Sequence, residues 1–230
     1  MPAVNLQWER SDTSLFYASY SEGFKSGGFN SVDDQNPEIA ADGTVLRTTP
    51  AIGFEYEDET ASSFEIGGKH TLMDGAMTLN WAMFNSEYVD QQVSTFVGLG
   101  FVVANAASSD IQGVEVDMQW QATDNLRLGA NVAMLDAKYG KFDSAGCTAA
   151  QDSALIALGT LTVNSPVTSA LGCQAQFNGA GNKAGQSQDL SGSSFGADYS
   201  GSLTADYTKP LANGMLMFAS ADYNFTDGFK

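Results

Sequence analysis

Positive charge is scarce in this sequence: ten Lys plus Arg stand against 27 Asp plus Glu, giving a formal net charge of −17 and a pI near 4.1. A balance so far to the acidic side opposes attraction to phosphate backbones and excludes nucleic acid as a partner. Histidine occurs once, at His70, and cysteine twice, at Cys147 and Cys173 with no C-x-x-C spacing. Zinc sites take three or four N or S ligands, so neither residue type supplies a metal centre, and no cofactor is expected. Long apolar runs are missing as well. None approaches the ~18 residues of a membrane-spanning helix, so a helical membrane protein is excluded. The opening Met1-Pro2-Ala3-Val4-Asn5 lacks the charged and apolar regions of a secretory signal. The chain is therefore expected either to be cytosolic or to lack its true N-terminus.

What is present describes an ordered β protein. Hydrophobic residues make up 43% of the chain, aromatics 11% and charged residues only 16%, with 24 glycines and five prolines. A disordered chain would be poorer in aromatics and richer in charge. The dominant period is two. From Val114 to Ala122 every even position is apolar and every odd one polar, and after Thr123-Asp124-Asn125 the same parity resumes at Leu126, Leu128, Ala130, Val132 and Met134. The two segments predict a hairpin. Similar pairs are predicted around Val4–Trp8 and Leu15–Phe24, around Ser62–Leu72 and Met77–Met83, and around Tyr199–Tyr207 and Met215–Ala221. The total is about eight strands and no convincing helix.

The connections alternate in length. Turns at Ser11–Ser14, Met73–Gly75, Thr123–Asn125 and Lys209–Gly214 are short, the second marked by an Asp-Gly dipeptide. Long connections are expected over Lys25–Thr60, Ser94–Ala106 and Gly140–Gly196. In an antiparallel sheet this puts every short turn at one end and every long loop at the other, which is the pattern of outer-membrane barrels. A compact soluble domain would not carry such loops. Val114–Ala122 has the ~9–11 residues that cross a bilayer as a tilted strand. Tyr17, Tyr20, Phe24, Tyr88, Trp120, Tyr207, Tyr223 and Phe225 are candidates for the aromatic girdles at its two surfaces.

The segment Leu15-Phe16-Tyr17-Ala18-Ser19-Tyr20-Ser21-Glu22-Gly23-Phe24-Lys25-Ser26-Gly27-Gly28-Phe29-Asn30 resembles one common in the barrels of TonB-dependent outer-membrane receptors. Phe64-Glu65-Ile66-Gly67-Gly68-Lys69, Ile111-Gln112-Gly113-Val114-Glu115, Leu128-Gly129-Ala130-Asn131 and Asp136-Ala137-Lys138-Tyr139 follow in the order and spacing of such barrels. The resemblance covers most of the chain outside Gly140 to about Asp189. It implies a barrel of roughly 22 strands in the bacterial outer membrane, plugged by an N-terminal domain. It also implies uptake of a scarce small-molecule ligand such as a ferric siderophore, powered by an inner-membrane energy-coupling complex, with no bond made or broken by the protein. Residues 1–230 are accordingly expected to form an all-β, antiparallel partial barrel, about eight strands in an open curved sheet. The plug, the signal peptide and the last barrel strands are expected to lie outside the chain. In the oxidising surroundings that the resemblance implies, Cys147 and Cys173, 26 residues apart, are expected to form a disulfide. Closing a loop of that size contributes roughly 3–4 kcal/mol locally.

Two rival functions follow from other features. A complete barrel of about eight strands would be an anchor or passive pore, and would have to pair its first strand with its last. A hydrolase would use Ser194 in Gly192-Ser193-Ser194-Phe195-Gly196, which fits G-x-S-x-G, although the lone His70 precedes the serine and no helix follows. Three smaller motifs read as ordinary structure. Gly179-Ala180-Gly181-Asn182-Lys183-Ala184 matches a dinucleotide fingerprint without its strand and helix. Asn224-Phe225-Thr226 is a chance sequon, and the carboxylates between Asp33 and Glu59 lack the ligand spacing of a calcium loop.

Overall fold

A computed structural model describes residues 1–30, 55–97, 100–143, 145–151, 153, 172–177 and 183–228. Its strands are β1 (Ala3–Ser11), β2 (Ser14–Lys25), β3 (Gly28–Phe29), β4 (Glu55–Tyr56), β5 (Glu59–Leu72), β6 (Met77–Val97), β7 (Gly100–Thr123), β8 (Leu126–Tyr139), β9 (Ala145–Gly146), β10 (Cys173–Phe177), β11 (Lys183–Gln188), β12 (Tyr199–Pro210) and β13 (Leu216–Thr226). Eight of them form one antiparallel sheet in the order β1-β2-β5-β6-β7-β8-β12-β13. Strand order follows chain order, so the sheet is a meander. Residues near Leu6 pair with β2 and those near Phe218 with β12, so β1 and β13 remain two separate edges. The sheet is not closed, and the small complete barrel is not what this chain forms.

The alternation written in the sequence is carried intact across the whole sheet. One row of opposed residues runs Trp8, Phe16, Gly68, Trp81, Val116, Val132, Gly201, Phe225. The next row, one residue on, runs Glu9, Leu15, Lys69, Asn80, Asp117, Asn131, Ser202, Asn224. Because side chains alternate between faces, one face is mainly apolar and the other mainly polar. Among the described residues nothing covers the apolar face: Leu6 is 68% exposed, Trp8 62%, Met134 60% and Tyr223 64%. Gly68 interrupts its row for a steric reason. A Cβ there would lie 2.6 Å from both His70 Nε2 and Trp81 Nε1.

The apolar face ends at a charged row, Glu22, Ser62, Glu87, Asp110 and Lys138. At ~3.3 Å per residue, the strand from Asp110 to Trp120 covers about 33 Å, which a tilt of about 40° reduces to about 25 Å. That is the height of the apolar band of an outer-membrane barrel. At the far end the short turns are linked to one another: Thr71 N–H donates to Thr13 O, Gln121 N–H to Ala76 O and Thr208 N–H to Asn125 O, each at 2.8 Å. The Asp-Gly turn places Met73, Asp74 and Gly75 all at positive φ.

Two expectations are corrected. The connection expected over Ser94–Ala106 is a paired ribbon, with β6 and β7 in register up to Val97 opposite Gly100. The segment is apolar at consecutive positions and flanked by glycine, so it lacks the period that marks a half-exposed strand, yet its backbone continues the ladder. Of the aromatics proposed for the girdles, Tyr17 and Tyr88 lie opposite Gly67 and Ser109, on the polar face. Trp8, Phe16 and Trp81 on the apolar face belong in their place.

Candidate functional site at the outer rim

Beyond the charged row the β6–β7 ribbon continues as a support for the long connections. Its register slips twice, between Tyr88 and Gln91 and between Gln91 and Gln92, with Asp90 in left-handed backbone. Bulges of this kind re-aim side chains. Here they turn a set of amides toward the ends of the first long connection. Gln92 Nε2–H donates to Ser26 O and Glu57 O, both at 3.0 Å. Asn105 Nδ2–H donates to Glu57 O at 2.9 Å, and its Oδ1 accepts from Glu57 N–H at 2.7 Å. Asn30, 6% exposed, exchanges two 2.8 Å bonds with the backbone of Val103. Gly27 N–H donates to Asp58 Oδ1 at 2.6 Å. Residues 27–29 and 55–58 line a cleft of about 510 Å³ beside this clamp.

The second long connection folds back on the ribbon and buries apolar surface there. Ala107, Phe142 and Ala145 are buried at 6%, 8% and 1% exposure, with Val93, Ala106, Tyr139 and Leu190 packed around them. Lys141 N–H donates to Ser108 Oγ and Leu190 N–H to Phe142 O, each at 2.8 Å. Ser191 donates its backbone N–H and its hydroxyl to Asp189, and these bonds hold the Asp189 carboxyl below the usual carboxylate range. β9, β10 and β11 form a three-stranded sheet in the order β10-β11-β9. Cys147 follows β9 and Cys173 opens β10, with their Cα atoms 5.8 Å apart, and Cys173 is fully buried.

Below the rim, the polar face carries Tyr17, Glu65, Glu115, Asp117, Gln119, Arg127 and Asn131. Tyr17 donates its hydroxyl to Glu65 Oε1 at 2.6 Å, and Arg127 Nη2–H donates to Gln119 Oε1 at 3.2 Å. The wall is polar, anionic and lined with hydrogen-bonding groups, while the opposite face is bare apolar surface. Only a bilayer satisfies the second face, and a water-filled or protein-filled interior the first.

The sequence matches the family described as TonB dependent receptor-like, beta-barrel, over residues 1–229. The chain belongs to that family. Two solved structures share the fold. The ferric yersiniabactin uptake receptor from Yersinia pestis has a TM-score of 0.56 at 14% identity, covering 97% of this chain and 25% of that one. The alcaligin outer-membrane receptor from Bordetella pertussis has a TM-score of 0.50 at 15% identity, covering 98% of this chain and 29% of that one. The chain thus spans about a quarter of the length of the structures it matches. TonB-dependent receptors are transport receptors of the bacterial outer membrane, so the apolar face meets lipid and the polar face the lumen.

In a TonB-dependent barrel wall, His70 sits on the lipid side near the short-turn rim. Trp81 Nε1–H donates to His70 Nε2 at 3.2 Å, which leaves the proton on Nδ1 to be donated to Ser14 Oγ at 2.8 Å. Phe16 meets the imidazole edge-on at 5.1 Å. The histidine is a fully bonded member of a girdle. Ser194 lies at the other end of the sheet, bridged to Lys138. Its row crosses β5 at Ser62, roughly 26 Å of strand from His70. A Ser194–His70 pair cannot form. Asn224 and Thr226 lie in β13, and the glycines of the Gly179 motif and the carboxylates from Asp33 to Asp42 lie outside the described residues. The sequence reading missed the amide clamp of Asn30, Gln92 and Asn105.

Proposed function

We propose that this chain is part of the barrel wall of an energy-coupled receptor that binds and imports a scarce nutrient such as a ferric siderophore. The family match over residues 1–229 carries this reading. The inner-membrane energy-coupling complex engages a part of the receptor outside this wall, and the remaining strands of the barrel pair with the open edges of β1 and β13. Outer loops seated on fixed supports at the rim then meet the ligand, and the polar lumen wall faces the path it takes. The Cys147–Cys173 bridge, formed in the oxidising exterior, fixes one of those loops. The test is energised uptake of radiolabelled ferric chelates by cells expressing the full-length receptor under iron limitation. Uptake that needs the receptor and stops with an uncoupler supports the reading. Uptake indifferent to the uncoupler overturns it.

A further inference from the structure

The amide clamp at the outer rim is reciprocal. Asn30, at one end of the first long connection, bonds both backbone groups of Val103 in the ribbon, and Asn105, in the ribbon, bonds both backbone groups of Glu57 at the connection's other end. Gln92 stands directly opposite Asn105 in the ladder and adds a second donor to Glu57 O. Both ends of the connection are therefore held by one short stretch of ribbon. They also meet each other, Gly28 pairing with Tyr56 and Phe29 with Glu55. Gly27 permits that approach, since a Cβ there would run into the backbone of Tyr56 and Glu57. The ribbon residues of the clamp all lie beyond the register slips. Between the pairs Tyr88–Ser109 and Gln91–Ala107 the extra residue is in β6, and between Gln91–Ala107 and Gln92–Asn105 it is in β7, so two opposed bulges interrupt the ladder and then restore it. A bulge disrupts the ladder locally and bends its strand. Asp90, in left-handed backbone, lies in the first of them.

We propose that the ends of the first long connection, residues 26–30 and 55–58, and the outer ribbon, residues 91–97 and 100–105, form one rigid body hinged to the wall at the register slips. Asn30 and Asn105 are its positioning residues. A displacement of the ribbon then carries both ends of the connection with it, and the two present a single surface. Hinges are short stretches whose backbone absorbs the change of direction, and the interrupted ladder around Asp90 is such a stretch. The bond from Asn105 Nδ2–H to Asp90 O, at 2.7 Å, ties the body to its own hinge. That this surface receives a carried ligand rests on the import reading above. The body itself does not.

The experiment uses the full-length receptor in lipid vesicles, with nitroxide labels on two pairs of introduced cysteines and distance distributions read by pulsed electron resonance. Ser26→Cys with Ser94→Cys lies within the body, and Glu87→Cys with Ser94→Cys spans the slips. The first pair gives one narrow distance and the second a broader one. Asn30→Ala combined with Asn105→Ala makes the first pair lose its narrow peak. A first pair that stays narrow without the two amides overturns the proposal, as does a second pair as narrow as the first before any clamp residue is changed. Should the combined variant fail to fold, as judged by heat-modifiable mobility, Gly27→Ala pries the two ends apart with the clamp residues in place and broadens the first pair by itself; a first pair still narrow there also overturns the proposal. Energised uptake of radiolabelled ferric chelates is measured in parallel. In the combined variant KM rises with the maximal rate unchanged, and an unchanged KM overturns the positioning role. A coupled first pair without any uptake overturns the import reading alone, and uptake without a coupled first pair overturns the body alone.

Discussion

The wall and the cap of this chain solve opposite problems. In the wall, large apolar side chains such as Leu6, Trp8 and Phe64 stand exposed on one face, and almost nothing is buried. Its integrity comes from ladder bonds and from lipid. In the cap, the tightest burial among the described residues gathers around Ala107, Phe142, Ala145 and Cys173. The difference follows from the solvent. Inside the bilayer the apolar face is already satisfied and every backbone group must be bonded, whereas outside it a loop stays folded only by hiding apolar surface from water.

Substitutions that respect one environment and violate the other sharpen this contrast. Phe142→Ala is expected to cost about 3–5 kcal/mol of cap stability while leaving the barrel's heat-modifiable mobility unchanged, so limited proteolysis between Gly140 and Asp198 rises sharply. If cap cleavage does not change, the cap has no core of its own. Val116→Arg is expected to cost about 2–4 kcal/mol in folding of the parent barrel into lipid vesicles, and Glu115→Arg, on the lumen side, much less. Equal costs would refute the two faces. Gln92→Ala leaves the carbonyls of Ser26 and Glu57 without that donor, which costs about 1–3 kcal/mol locally; hydrogen exchange at Gly27 and Glu57 should quicken, and unchanged rates would mean that the clamp is ornamental. Ser109→Ala carries the smallest effect and the opposite sign. Removing a buried hydroxyl without a partner should leave cap stability unchanged or raise it by up to about 1 kcal/mol in thermal melts.

The wall was legible in the sequence because a period of two, held in one parity from Val114 to Met134, specifies face and register together. The turn at Met73–Gly75 was legible through its Asp-Gly pair, and membership in the TonB-dependent family through segments such as Leu15–Asn30. The rim was not. Asn30 bonds Val103 across 73 residues of sequence and Asn105 bonds Glu57 across 48, and amide bonds to backbone groups leave no periodic trace. The paired ribbon at Ser94–Ala106 was hidden for a related reason: a strand apolar at neighbouring positions has no alternation to detect. Gly192 and Gly196 announced themselves, but as a nucleophile elbow, since spacing alone does not distinguish two left-handed loop positions from a catalytic turn.

The rim of short turns has a mechanical meaning. Thr13 with Thr71, Ala76 with Gln121 and Asn125 with Thr208 tie each hairpin base to the next, so the inner edge of the wall is a continuous tied arc. Ladder bonds at right angles to the strands carry circumferential tension, and the extra links reinforce the end at which a ladder would otherwise begin to unzip. A wall built this way keeps its diameter when its contents are pulled, and yields, if at all, at the outer end, where the ribbon's register has already slipped twice.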